Sequence, residues 1–146
     1  MNSPAELLRA AFVAGGSPVA ALPGPGAVWP CSVGHLPGDP DNAVCVYDSP
    51  GFLDGRIMRG GERIVHPGWQ LRVRATDYTT GYGQIYDIRT LLEGIRRERV
   101  DIGAAAYRID AVTIISDILP LGQEPEGKRR DTFTLNGIMT FTTLTP

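Results

Sequence analysis

Lysine occurs once in this 146-residue chain, at Lys128, and arginine carries nearly all of the positive charge. The formal net charge is −2, so the basic excess needed for general electrostatic binding to nucleic acid is missing. Soft metal ligands are equally scarce: Cys31, Cys45, His35 and His66 are all there are. Four is the number a closed zinc site needs, but only Cys31 and His35 lie close together, without a second local pair. No metal is expected. No apolar run approaches the ~18 residues of a membrane-spanning helix. The stretch Met1–Gly16 carries Glu6 and Arg9 inside its apolar part and has no basic leader, so no signal peptide is expected. On that reading both cysteines are free thiols in a reducing compartment, and synthesis is cytoplasmic.

Catalytic signatures are also lacking. No Gly-x-Ser-x-Gly elbow is present, and neither histidine stands in a recognisable nucleophile–base arrangement. Gly81-Tyr82-Gly83 opens a helix after a strand, but Tyr86 stands where the third glycine of a dinucleotide fingerprint would fall. The two glycines read as loosening the helix start. Neither an enzyme nor a cofactor is expected.

What remains is an ordinary globular composition, 42% hydrophobic and 21% charged, at the length of one domain over 1–146. Ser3-Pro4-Ala5-Glu6 combines a capping hydroxyl, a first-turn proline and a carboxylate three residues after the cap. Leu7, Leu8, Ala11 and Phe12 then recur at helical spacing until Gly15-Gly16. The Pro/Gly-rich loop at 17–42 excludes a regular helix or central strand and reads as irregular chain lying over the core or reaching a neighbour. Ala43–Asp48 is a short strand closed by Ser49-Pro50-Gly51, and a hairpin with Gly60-Gly61 at its tip follows. His66-Pro67-Gly68 reads as a turn at the entrance of the next strand. That strand alternates cleanly: Trp69, Leu71, Val73 and Ala75 form a core face, while Arg72 and Arg74 project from a face that is wet or meets a partner. A second helix follows, with Asp77, Thr79 or Thr80 as cap, a stripe of Ile85, Ile88, Leu92 and Ile95, and i,i+4 pairs Arg89–Glu93 and Glu93–Arg97.

The chain returns as two long strands, the second with Phe133, Leu135, Met139 and Phe141 on one face. Between them, Gln123–Arg130 reads as an exposed hairpin tip whose Lys128, Arg129 and Arg130 serve assembly and not folding. The order gives an α+β fold: a mainly antiparallel sheet of about five strands with two helices packed on it. The arginines around the second helix are interleaved with Glu93, Glu98, Asp101 and Asp110, as on a solvated face or a polar protein interface.

Three stretches, "PDNAVCVYDSPG", "DGRIMRGGERIVHPGWQLRVRATDY" and "YRIDAVTIISDILPLGQEPEGKRRDTFTLNGIMTF", together resemble the tail terminator proteins of long-tailed bacteriophages, often labelled minor capsid proteins. The points of likeness are the Pro40-Asp41-Asn42 entry to a strand ending Tyr47-Asp48, His66-Pro67-Gly68 before "LRVRA", and the Pro120-Leu121-Gly122 hairpin leading to Asn136. They cover the chain from about Pro40 onward. Pro125 and the long Pro/Gly loop depart from the pattern. The resemblance implies a virion structural subunit of a six-membered ring that caps the tail tube, stops its growth and offers the head–tail joining surface. Its partners would be itself, the tail tube protein and a connector or stopper protein, with no specific nucleic acid and no membrane. The alternatives are another connector component or, from a different class, a small-ligand-binding domain or enzyme. The candidate assembly residues are Arg72, Arg74, Lys128, Arg129 and Arg130.

Overall fold

The computed structural model describes residues 1–14, 19–20, 29–56, 63–124 and 127–144. The Gly15-Gly16 stop and the Gly60-Gly61 tip lie outside them. Helix α1 (Pro4–Ala14) begins with the reciprocal cap its sequence specifies: Ser3 Oγ accepts from the Glu6 amide at 3.3 Å, and Glu6 Oε2 accepts from the Ser3 amide at 2.7 Å. Two further bonds seat this end on the sheet. The Ala5 amide donates to Asp48 Oδ1 at 2.9 Å, and the Asn2 amide donates to the Tyr107 hydroxyl at 3.0 Å. Leu7, Leu8 and Phe12 are fully buried beneath it, each contributing on the order of 1.5–3 kcal/mol.

Among the described residues eight strands form one sheet: β1 (Val19–Ala20), β2 (Trp29–Val33), β3 (Ala43–Arg56), β4 (Arg63–Ala75), β5 (Arg96–Ile102), β6 (Ala105–Ile114), β7 (Leu119–Gln123) and β8 (Asp131–Leu144). The spatial order is β1-β2-β3-β4-β8-β6-β5, with β7 also on β8. All pairs are antiparallel except β1–β2 and β2–β3. The sheet curls into half a barrel. The expectation of α+β with two helices and a mostly antiparallel sheet holds; the count of about five strands does not. β2 comes from the Pro/Gly-rich stretch, where Trp29 and Cys31 are buried. β5 reads "RRERVDI" and buries only Val100, as an edge strand can, so its apolar signal is faint. β6 and β7 are two pieces of one arm that together follow β8 along its length.

Two turn readings also give way. β3 runs on through Ser49-Pro50-Gly51, and His66-Pro67-Gly68 lies inside β4. Prolines fit there because the ladder demands nothing of them. β2 pairs only with Val44–Val46, β8 meets β4 only from Gly68 onward, and a register shift between Ser49 and Phe52 absorbs the extra residues.

The concave face holds the core. Trp69, Leu71, Val73 and Ala75 of β4 are buried as the alternation requires, opposite Val44 and Val46 on one side and Phe133 and Leu135 on the other. Helix α2 (Tyr78–Gly94) covers this face with Ile85, Ile88 and Leu92. Its N-cap is Asp77, which accepts from the Thr80 amide and hydroxyl at 2.9 Å each; these bonds hold the carboxyl below its usual range. Arg89–Glu93 forms at 3.2 Å, but α2 ends at Gly94 and Arg97 enters β5 with φ 51°, so the expected Glu93–Arg97 pair has no helix to sit on. Gly81 does more than loosen the helix: a Cβ there would meet Phe133 at 2.6 Å and Ala75 at 2.9 Å, so it lets α2 approach the sheet. Gly137 plays the same part inside β8, where a Cβ would meet the Trp69 ring at 2.2 Å.

Candidate assembly surface

The period-2 alternation of β4 that buries Leu71 and Val73 sends Arg72 and Arg74 to the convex face. Their fates differ. Arg72 is half-buried, with its guanidinium 5.2 Å from the Tyr47 ring centre and its Nε donating to Gln70 at 3.2 Å. Gln70 in turn donates to Asn136 Oδ1 at 2.9 Å.

Arg74 is only 2% exposed. The loop between β2 and β3 turns its carbonyls inward around the guanidinium: Nη2 donates to Pro37 O at 2.6 Å, Pro40 O at 2.7 Å and Gly38 O at 3.3 Å, and Nε donates to Asp41 O at 3.1 Å. Glu124 lies 3.9 Å from Nη1 and supplies a counter-charge. Burial nevertheless lowers the Arg74 pKa from its ordinary value, with the neighbouring Arg130 acting in the same direction. A buried guanidinium is tolerated when its donors are satisfied, and this one has four backbone acceptors.

The β7–β8 hairpin closes the arrangement from the other side. The Glu124 amide donates to Arg130 O at 3.1 Å across the hairpin, but where an exposed tip was expected the Arg130 side chain is only 12% exposed and is bonded within the fold; Pro125 and Glu126 lie outside the described residues. Arg130 bonds Glu124 through Nη2 at 2.5 Å and through Nε at 2.6 Å, and its Nη1 donates to Gly38 O at 2.6 Å. Lys128 Nζ reaches Asp39 at 3.0 Å and Asp41 at 2.9 Å. The Lys128 hydrogen bond holds the Asp41 carboxyl below its usual range, and the two aspartates raise the Lys128 pKa. Arg129 is exposed.

Three of the five candidate residues, Arg74, Lys128 and Arg130, thus converge on one loop, while Arg72 sits apart over Tyr47 and Arg129 points outward. The sequence reading missed the acceptors, because backbone carbonyls at 37–41 leave no residue-type signature. Only Asp39 and Asp41 hinted at the clasp.

Of the sparse soft ligands, Cys31 and Cys45 are buried free thiols on adjacent strands, His35 is exposed, and His66 stacks on Phe52 with ring centres 4.6 Å apart. Burial pushes the Cys31 thiol up to about 12, far from the thiolate that a ligand or nucleophile requires. Among the described residues no three His, Cys, Asp or Glu side chains are grouped to hold a metal ion. No helix among them is long and apolar enough to cross a membrane.

A family profile described as bacteriophage tail terminator protein matches residues 17–124. The chain belongs to the bacteriophage tail terminator family. It is accordingly a phage tail structural protein, belonging to the virion tail, in a family that is not normally enzymatic. One solved structure is similar over 99% of each chain, at 18% sequence identity and a TM-score of 0.48. No curated protein matches the chain in sequence.

Proposed function

We propose that this terminator-family chain forms a six-membered ring that caps the finished tail tube, stops its polymerisation and offers the surface to which the head connector docks. The family match over residues 17–124 carries this reading. Its partners are further copies of itself, the tail tube protein and a connector or stopper protein. A ring subunit needs unlike surfaces that meet neighbours head to tail. The fold supplies such surfaces in the open edges of the sheet and in apolar side chains exposed away from the core. Of the five candidate residues, Arg129 and Arg72 are the ones left to face a partner, since Arg74, Lys128 and Arg130 are occupied by the 37–41 loop.

The experiment is to add purified chain to growing tail tubes and image them by negative-stain electron microscopy. Six-fold rings at tube ends and an arrest of growth are expected. Tubes that elongate unchanged, with bare ends, would refute the reading.

A further inference from the structure

The charges of this molecule are sorted between its two sides. Both helices pack into the core on the concave side of the sheet, so among the described residues no helix covers the convex face. At one end of that face the clasp neutralises itself, with Arg74, Lys128 and Arg130 against Asp39, Asp41 and Glu124. Beyond the clasp, Arg72, Arg97, Arg99 and Arg108 stand against Asp101 and Asp110. The helix side has the reverse balance. Around α2, Asp77, Asp87, Glu93 and Asp117 are exposed, against Arg89 and Arg96.

The basic end of the convex face is built at a cost. Val100, Tyr107 and Ile109 are buried, so the pleat turns Arg99 and Arg108 outward, where the register opposes them directly. Like charges facing each other across two strands are destabilising. Each guanidinium is tied through Nε to an aspartate two residues along, Arg99 to Asp101 at 3.1 Å and Arg108 to Asp110 at 2.6 Å. Their Nη groups meet no acceptor among the described residues. Nearby, β6 bulges between Ile109 and Ala111, and Arg97, across from Asp110, takes φ 51°, a conformation that favours glycine. Strain of this kind collects at functional positions. Guanidinium forks held by Nε alone present their Nη edges to carboxylates from outside, which they can take two bonds at a time.

The basic and acidic surfaces also match in length. The β8 partners of Arg72 and Arg108 are Thr134 and Thr142, about 27 Å apart along the strand. Asp77 to Glu93 spans about 24 Å along α2. The two surfaces lie on opposite sides of one subunit, so contact between them is head to tail, the kind that closes a ring, and is not a two-fold pairing.

We infer that the convex face of one subunit, from Arg72 to the Arg97–Arg99–Arg108 cluster, lies along the acidic outer side of α2 in the next copy, and that this contact, repeated, closes the ring. The inference rests on the ring proposed above and names the contact that builds it.

Sedimentation velocity on the full chain, alone and with tube protein, provides the test. The wild type associates into rings, and added salt weakens them. One variant reverses the sheet side, Arg97→Glu with Arg99→Glu; the other reverses the helix side, Asp87→Lys with Glu93→Lys. Each alone, folded by circular dichroism, associates about tenfold more weakly or worse. Mixed one to one, they form rings again. In an alternating ring every reversed sheet face meets a reversed helix, and every native sheet face a native one. Should a double variant unfold, Arg97→Glu and Asp87→Lys repeat the mixture, since neither side chain makes a hydrogen bond or ion pair among the described residues. Folded variants that stay apart when mixed overturn the contact. Either variant forming wild-type rings by itself also overturns it, leaving the ring standing; if that variant loses only tube binding, the reversed face belongs to the tube protein. A wild type that never associates, alone or with tube protein, overturns contact and ring together.

Discussion

Replacing Arg74 with alanine removes the donor around which the 37–41 loop is built. Four backbone carbonyls lose a partner, at 2.6, 2.7, 3.1 and 3.3 Å in the intact protein. A hydrogen bond to a charged group contributes roughly 1.5–3 kcal/mol net, but the four are not additive, because the loop can lift and rehydrate its carbonyls. The expected loss is about 2–4 kcal/mol, the range of a broken buried network. With an unfolding entropy of about 2.1 cal/mol/K per residue, that lowers Tm by roughly 6–13 °C for a chain this long. Arg74→Lys keeps the charge and loses the planar fork, so it recovers only part of the loss. Urea denaturation measures the free energy, and limited proteolysis reports whether cleavage moves into residues 34–42. An Arg74→Ala protein within about 0.5 kcal/mol of wild type, with the loop still protected, would refute the clasp and return Arg74 to the pool of free interface residues.

The core makes a sharper demand: Leu71→Ala costs about 2–5 kcal/mol in urea denaturation, while Arg72→Ala, which gives up a partly exposed contact with Tyr47, costs about 1 kcal/mol or less. Gly137→Ala drives a methyl into the Trp69 ring and Thr113 O, the latter 2.4 Å from the added Cβ, and destabilises by about 1–3 kcal/mol or more in the same assay. Asp41, whose folded pKa lies below the ordinary 3.8, contributes stability that is present above that value and lost as pH falls through the folded pKa. Lys128, raised above 10.5, contributes below that value and loses its contribution as pH climbs past the folded pKa. Asp41→Asn therefore flattens part of the acid limb of a stability–pH curve, and an unchanged limb would contradict the Lys128–Asp41 contact.

Sequence periodicity reached the parts of this fold where one face is dry. Trp69 to Ala75 alternate against a core, and Ile85, Ile88 and Leu92 repeat at helical spacing against the same core, so both elements were legible. The Ser3–Glu6 and Asp77–Thr80 caps were legible because capping chemistry is local. Pro50 and Pro67 misled because a proline reads as a strand end, and only the tertiary structure shows that their ladder sides are vacant. β5 was hidden by its charge, and β2 by the glycines and prolines around it. At the surface, the basic residues were visible but their roles were not. Nothing in the alternation of β4 distinguishes Arg72 from Arg74; a short loop lying 33 to 37 residues upstream decides which of them is buried.

Tail length in a phage lacking this gene tests the central claim most directly. If the chain terminates the tube, particles made without it carry tubes of irregular and excessive length that fail to join heads, and supplying the chain in trans restores one defined length. Tails of normal, uniform length in its absence would contradict the account.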